Sequence, residues 1–278
     1  MQVPSELPPA DPSNTSPALS GPARRRRGAG QGRAAPEFIE ALARGLDVLR
    51  CFGKDTSTLG NQDLAGLTGL PKPTISRITY TLTELGYLRY HPESGKYSPG
   101  FAVLALGFGV LAGLEVRAMA RDCMQQLAKD TGGAIALGTF DGDAMVYVEA
   151  IHGSSDLYLR LPVGYRASFN SAMGRAYLAR LPASKRAELL NRLGQAAPAE
   201  SVIQQACADF ASTGCCFALG SWRSDINAVA VPFESVTGEG TFVVSCGGPA
   251  SLLPPDVLRD RVVPALRKVA QQLSGYRP

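Results

Sequence analysis

Residues 61–98, NQDLAGLTGLPKPTISRITYTLTELGYLRYHPESGKYS, leave this chain little freedom in what it can fold into. Leu64 and Leu67 fall at helical spacing behind Asn61, a residue type suited to capping a helix start. Gly69 supplies the permissive backbone of a turn, and Pro71 and Pro73 bracket the start of a second helix, where a missing N–H costs nothing. That helix is predicted to run to about Leu85, to bury Ile75, Ile78, Leu82 and Leu85, and to stop at Gly86. Tyr87–Tyr90 and Lys96–Ser98 then flank His91-Pro92-Glu93-Ser94-Gly95, the signature of a β-hairpin. A helix, a tight turn, a second helix and a hairpin make a winged helix-turn-helix, which lays its second helix in the major groove of DNA.

Burying one side of that helix turns Lys72, Thr74, Arg77, Tyr80 and Thr81 outwards. Its first turns are the ones that reach base edges, so Thr74, Ser76 and Arg77 are the expected base readers. Arg77 can pair bidentately with a guanine edge, while Thr74 and Ser76 suit phosphates or a thymine methyl. Lys72, together with Arg89 and Lys96 from the hairpin, suits the phosphate backbone, and Tyr80 completes the outward face.

The net charge of +4 is unevenly spread. Residues 1–36 carry five arginines against Glu6 and Asp11, residues 37–98 seven basic against seven acidic groups, and residues 99–278 sixteen against fifteen. The basic excess thus lies in a Pro-, Ala-, Ser- and Gly-rich tail ending in RRRRGAGQGR, whose composition predicts disorder. That tail is either a solvated extension or an arm laid along phosphates or in a minor groove.

Beyond the hairpin, helices are expected at 101–114 and from Val116 to about Asp130. Strands Ala134–Phe140 and Ala144–Ala150 pair about Asp141-Gly142-Asp143, and Leu157–Pro162 reads as another strand. Helices Ser171–Leu181, Ser184–Leu193 and Ala199–Thr213 follow, then strands Cys215–Leu219, Ala228–Phe233 and Thr241–Cys246, and a last amphipathic helix, Pro255 to Leu273. Upstream, Ile39, Leu42, Leu46 and Leu49 mark an amphipathic helix within 37–52. Antiparallel hairpins with helices grouped around them indicate an α+β second domain. The expected division is a tail at 1–36, a DNA-binding domain at 37–98, a linker and oligomerisation helix at 99–114, and a sensor domain at 115–278.

No window approaches the roughly 18 continuous apolar residues of a membrane span, and no apolar core follows the first residues as in a secretory signal. Six cysteines without a CxxC pattern suggest reduced thiols in the cytoplasm, and His91 and His152 lie too far apart for a metal site. Nucleophile elbow, Walker loop and dinucleotide fingerprint are absent, so neither catalysis nor a cofactor is expected.

The run LAGLTGLPKPTISRITYTLTELGYLRYHPESGKYSPG resembles the winged helix-turn-helix of IclR-type bacterial transcriptional regulators. Further along, PVGYRASFNSAMGRAYLARLP is similar to the family's small-x-Gly-Lys-Ala-x-Leu-Ala segment, with Arg175 where Lys is usual, and INAVAVPF and FVVSCGGP resemble two of its sensor-domain strands. The resemblance implies a GAF-like C-terminal domain that binds a small metabolite, often a catabolic carboxylic acid, in a homodimer or homotetramer on palindromic operator DNA. It further implies a ligand lying against the inner sheet near the start of the Ser171 helix, touched by Ala172, Met173, Ala218, Ala228, Ser245 and Gly247. Relatives that grip small 2-oxo acids carry an acidic residue and a cysteine where this chain has Ala218 and Ala228, and a serine in place of Gly247. The less polar lining argues for a bulkier or aromatic ligand.

Several residues admit two readings. Arg223 and Asp225, beside Trp222, either line a pocket mouth or sit in an exposed loop, and Arg160 either meets a carboxylate or lies on a solvated strand face. Cys215 and Cys216 would make a thiol redox switch the alternative to ligand sensing, although neighbouring strand residues point to opposite faces. An enzyme would have to use Cys246, with no histidine near it in sequence.

Overall fold

The computed structural model describes residues 38–53, 56–153 and 160–275, which fall into two compact units meeting in sequence at Leu104/Ala105. The basic tail lies outside the described residues.

The first unit opens with helix α1 (Glu40–Leu49), the short strand β1 (Leu59–Gly60) and helices α2 (Asn61–Thr68) and α3 (Lys72–Glu84). Strands β2 (Leu88–His91) and β3 (Lys96–Pro99) form the wing, and β1 pairs with β3 to give a three-stranded sheet in the order β1-β3-β2. Val48, Leu59, Leu64 and Ile75 are its buried core. Gly69 takes the left-handed conformation that ends α2, with φ 74°, and Pro71 and Pro73 open α3.

Two expectations are corrected in this unit. Asn61 does not cap α2: it is the first helical residue, Gly60 holds the cap position, and the Asp63 carboxylate accepts the Gly60 N–H at 2.9 Å. The freed Asn61 amide ties the two helices instead, donating to Ser76 Oγ at 3.3 Å and accepting from Thr79 Oγ1 at 3.2 Å. Leu85 is exposed, because α3 ends at Glu84 and the chain turns away there, the Tyr87 N–H closing on the Leu82 carbonyl. Thr79, which the sequence reading did not place in the core, is fully buried four residues after Ile75. In α1 the buried residue is Val48, whereas Ile39, Leu42 and Leu46 face outwards.

Helix α4 (Phe101–Gly113) has thirteen residues, none charged and none buried. At about 1.5 Å per residue it falls well short of the roughly 30 Å of a bilayer core, and no single helix among the described residues is long and apolar enough to cross a membrane.

The second unit continues with α5 (Glu115–Thr131), β4 (Ala134–Phe140), β5 (Met145–His152), β6 (Arg166–Ala167), α6 (Ala172–Arg180), α7 (Ala183–Leu193) and α8 (Glu200–Thr213). Then come β7 (Cys216–Leu219), β8 (Ile226–Glu234), β9 (Thr241–Pro249), the one-turn α9 (Pro255–Val257) and α10 (Val263–Leu273). The strands make one antiparallel six-stranded sheet in the order β6-β5-β4-β9-β8-β7. On one face Ile135, Leu137, Val229, Val231 and Val244 pack with α5 and α10; on the other Ala136, Ala218, Ala230 and Val243 pack with α6 and α8. We call these the outer and inner faces. The α+β architecture read from the sequence is the one observed.

Two departures here have local causes. The last helix is not continuous: Leu258–Val262 widens into a π turn, since Pro264 cannot donate the N–H a regular ladder needs and its ring crowds the preceding turn. The expected strand Leu157–Pro162 lies partly outside the described residues, and 160–162 are not strand; the neighbouring pairing is made by β6 against Met145 and Val146. At the opposite end of α5, Glu239 caps the helix, its carboxylate accepting the Glu115 and Val116 N–H groups at 2.8 and 3.0 Å. Burial alone would raise that carboxyl, but hydrogen bonds from Thr237, Val116 and Glu115 outweigh it and hold the group below its ordinary pKa.

Candidate nucleic-acid interface and inner-sheet site

In the first unit, the buried Ile75 and Thr79 and the half-buried Ile78 and Leu82 fix the rotation of α3. Lys72, Ser76, Arg77, Tyr80 and Thr81 are exposed on its other side, and Thr74 is half-buried at its start. Ser76 differs from its neighbours, since its hydroxyl is engaged by Asn61. The Thr81 hydroxyl folds back onto the Arg77 carbonyl at 2.9 Å. Arg77 therefore presents a guanidinium on a helix whose axial rotation is held from beneath by the Asn61–Thr79 hydrogen bond.

The wing is shaped by its tip and its rings. Ser94 and Gly95 N–H groups close on the His91 carbonyl with Gly95 at φ 66°, Tyr90 and Tyr97 pack at 5.0 Å, and His91 Nε2 lies 2.9 Å from Ser98 Oγ. Lys96 is exposed on β3. Arg89 on β2 lies over the Phe101 ring at 5.3 Å, a cation–π contact that limits where its charge can point.

In the second unit all six positions implied for ligand contact lie on the inner face or at the helix covering it. Ala218, Ala228 and Gly247 are side by side in register across β7, β8 and β9. Ser245 is buried one step along, opposite both Ala230 and Ala136. Ala172 and Met173 begin α6 and belong to the same inner cluster, with Ser171 as N-cap accepting the Gly174 N–H at 3.1 Å. Met173 lies over β4: a Cβ on Gly138 would come within 2.4 Å of its sulfur. The floor is thus built of Ala, Gly and Ser, with Met173 closing it towards β4.

Tyr147 is a residue of this face that the sequence reading missed. Its ring meets Tyr165 edge-on at 5.3 Å, and burial raises its phenol well above the ordinary value, the nearby Tyr165 adding to that and Ser245 opposing it. The signal was present in the alternation Met145, Tyr147, but a β-bulge breaks that alternation at the next residue. Gly138 pairs with Tyr147 and Leu137 with Glu149, so Val148 is the extra residue. The bulge sends Glu149 to the outer face, where Arg117 and Arg121 of α5 meet it at 3.1 and 3.8 Å. Without it, a carboxylate would project over the inner floor.

Close packing also sets how α6 sits. A Cβ on Gly174 would stand 2.4 Å from Phe169 Cα and 2.6 Å from the Ser168 carbonyl. Gly174→Ala should therefore destabilise the unit by about 1–3 kcal/mol through over-packing, seen as a lower melting temperature; an unchanged melt would show that the 168–169 loop moves aside freely.

The remaining candidates are resolved by burial and geometry. Cys215 belongs to the outer core and Cys216 to the inner one, and both thiols are pushed up, chiefly by burial. That combination disfavours a redox pair. Cys246 is buried in the outer core with its thiol pushed up to about 12, by burial against a weak Thr131 contact, the opposite of an activated nucleophile. Arg223 and Asp225 pair with each other at 3.2 Å in an exposed loop. Arg160 is exposed and outside any strand. Among the described residues no group of three or more potential metal ligands is found.

A winged helix-turn-helix with an outward Arg-bearing recognition helix, followed by an α+β unit, defines a DNA-binding transcriptional regulator. Comparison with known proteins narrows the class. Residues 41–92 match the IclR helix-turn-helix domain, and residues 108–275 match the bacterial transcriptional regulator IclR C-terminal domain. The chain belongs to the IclR family of bacterial transcriptional regulators. It is 32% identical over 246 residues to the HTH-type transcriptional regulator TsaQ1/TsaQ2 of Comamonas testosteroni, covering 86% of this chain and 88% of that one. The crystal structure of an IclR family regulator from Brucella abortus superposes with a TM-score of 0.81 at 38% identity, over 90% of this chain and 97% of that one. An IclR homolog from Microbacterium hydrocarbonoxydans, solved in complex with 4-hydroxybenzoate, shares the fold with a TM-score of 0.66 at 22% identity, over 85% and 98% of the two chains. The matched domains and relatives are transcriptional regulators, not enzymes.

Proposed function

We propose that this protein is a cytoplasmic, ligand-responsive regulator that binds palindromic operator DNA as a homodimer or homotetramer and senses a small carboxylic acid, bulkier than a 2-oxo acid and aromatic in character. Residues 37–98 read DNA through Lys72, Thr74, Ser76, Arg77, Tyr80, Arg89 and Lys96, residues 99–114 link and associate, and residues 115–278 bind the effector. The observation that carries the reading is the inner face of the second unit, where Ala218, Ala228, Ser245 and Gly247 form a floor of small residues beside the start of α6. A floor of Ala and Gly offers van der Waals surface to a flat ring, and Tyr147 with Ser245 supplies a polar anchor. The aromatic carboxylate held by the Microbacterium relative is of the same chemical class.

Association is supported by helix α4. A helix apolar on every side belongs in an interior, yet Leu106 is 62% and Phe108 65% exposed. A second copy of the same helix is the cover best matched to a surface of this kind, because a two-fold interface pairs like with like. Effector binding would then act by changing the spacing of two recognition helices.

Selection of sheared genomic DNA by the purified protein tests the DNA half of the proposal: a discrete palindrome should be recovered, and featureless recovery would sink it. For the ligand half, aromatic carboxylates should raise the melting temperature. A panel in which only small 2-oxo acids do so would remove the aromatic assignment.

A further inference from the structure

Arg175 is a buried cation with no ion-pair partner among the described residues. It is the fourth residue of α6 and only 9% exposed. Its Nη1 donates to the Phe217 carbonyl on the edge strand β7 at 2.8 Å, and its Nε is fully buried with no acceptor. No carboxylate among the described residues forms an ion pair with it. Asp209, whose field it feels, has its Oδ1 taken by Gln205 at 2.7 Å. Burial pulls the Arg175 pKa down, with Cys216 and Asp209 opposing that only in part, but a guanidinium keeps its proton at any physiological pH.

Buried charges in folded proteins are paired, because the desolvation of an unanswered ion is severe. The other buried charge among the described residues of this unit obeys the rule: Glu149 has Arg117 and Arg121 beside it. Arg175 departs from it at a telling place. Its guanidinium ends at Phe217, between Cys216 and Ala218, whose side chains lie on the inner face. Long side chains on a helix lean towards its N-terminus, and at that end the Gly174 N–H is taken by Ser171 while the first N–H groups point out of the helix.

We propose that Arg175 is the anion receptor of the inner-face site and that the ligand's carboxylate is the missing counter-ion, its apolar body lying on Ala218 and Ala228. The assignment rests on the inner face being the effector site and adds the group that selects an acid over its neutral isostere. A guanidinium suits this role because its planar fork can give two parallel hydrogen bonds to one carboxylate.

The experiment compares matched acid–amide pairs, benzoate with benzamide and 4-hydroxybenzoate with 4-hydroxybenzamide, by thermal shift and calorimetry on the full-length chain, Arg175→Lys and Arg175→Met. The wild type should be stabilised by at least one acid and not by its amide. Arg175→Met should bind that acid at least tenfold more weakly, with the same DNA selection as the wild type. Arg175→Lys, which keeps the charge and loses the fork, should fall between them and carries the test if Arg175→Met does not fold. Acids that bind Arg175→Met as tightly as wild type overturn the assignment. Amides that match acids on both proteins overturn it while leaving the inner face as an effector site; the absence of any response to either class, with DNA selection intact, removes both.

Discussion

Replacing Arg77 by alanine should weaken operator binding by about 1–3 kcal/mol for each half-site and relax the sequence preference at one base position. Arg77 is exposed on α3, and its direction is set by what lies opposite: Ile75 and Thr79 are fully buried, and Asn61 grips Thr79 from α2. The helix cannot rotate to hide the arginine without breaking that tie. A bidentate guanine contact and a phosphate contact are separable by experiment. If Arg77 only neutralised a phosphate, the variant would lose affinity equally for all sequences and the salt slope would fall by about one unit. Anisotropy titrations with the selected operator and single-base variants, at several salt concentrations, distinguish the two. Uniform loss with full sequence preference retained would move the base-reading role to Thr74 or Tyr80.

A charge in the middle of α4 should have the second large effect. Phe108 stands on a helix with no buried side chain and no charged residue. Covering a phenylalanine is worth about 1.5–3 kcal/mol, and a two-fold interface counts it twice. Phe108→Glu should therefore shift the association equilibrium towards monomer by about a hundredfold or more, by area alone, with charge burial adding to that. DNA binding should collapse with it, since two linked recognition helices hold a palindrome far better than two separate ones. Analytical ultracentrifugation reads the first effect and the operator titration the second. A wild-type protein that sediments as a monomer at operator-binding concentrations would remove the homo-oligomer reading, and Phe108→Glu would then be silent.

The local punctuation of this chain carried much of its fold. Gly69, the flanking prolines and the 91–95 turn placed the helix-turn-helix and its wing, and the Asp141-Gly142-Asp143 turn placed the first hairpin of the second unit, with β4 at Ala134–Phe140. What escaped depended on partners distant in sequence. Asn61 has the chemistry of a cap, and only the approach of α3 shows that its amide is used fifteen and eighteen residues away. The apolar stripe of α1 was visible, but amphipathicity names a face and not its cover, and Ile39, Leu42 and Leu46 are exposed in this chain. The bulge at Val148 decides which face receives Tyr147 and which receives Glu149, and nothing in the alternating pattern announces an extra residue. Arg175 is visible only as a substitution for lysine until its burial and unanswered Nε are seen.

The strands of the central sheet divide their residues sharply: Ala228 and Ala230 look inwards while Val229 and Val231 complete the outer core. On the proposed reading of the inner face, ligand preference and folding stability are written in alternating letters of the same strands. A methyl group added at Ala228 would reshape the floor and leave the valines that hold α5 and α10 in place, so on that reading a descendant of this gene could change what it senses in single mutational steps. The same separation makes the inner face a practical target for retuning the protein as a biosensor, with the smallest side chains, Ala218, Ala228 and Gly247, as the positions to randomise first.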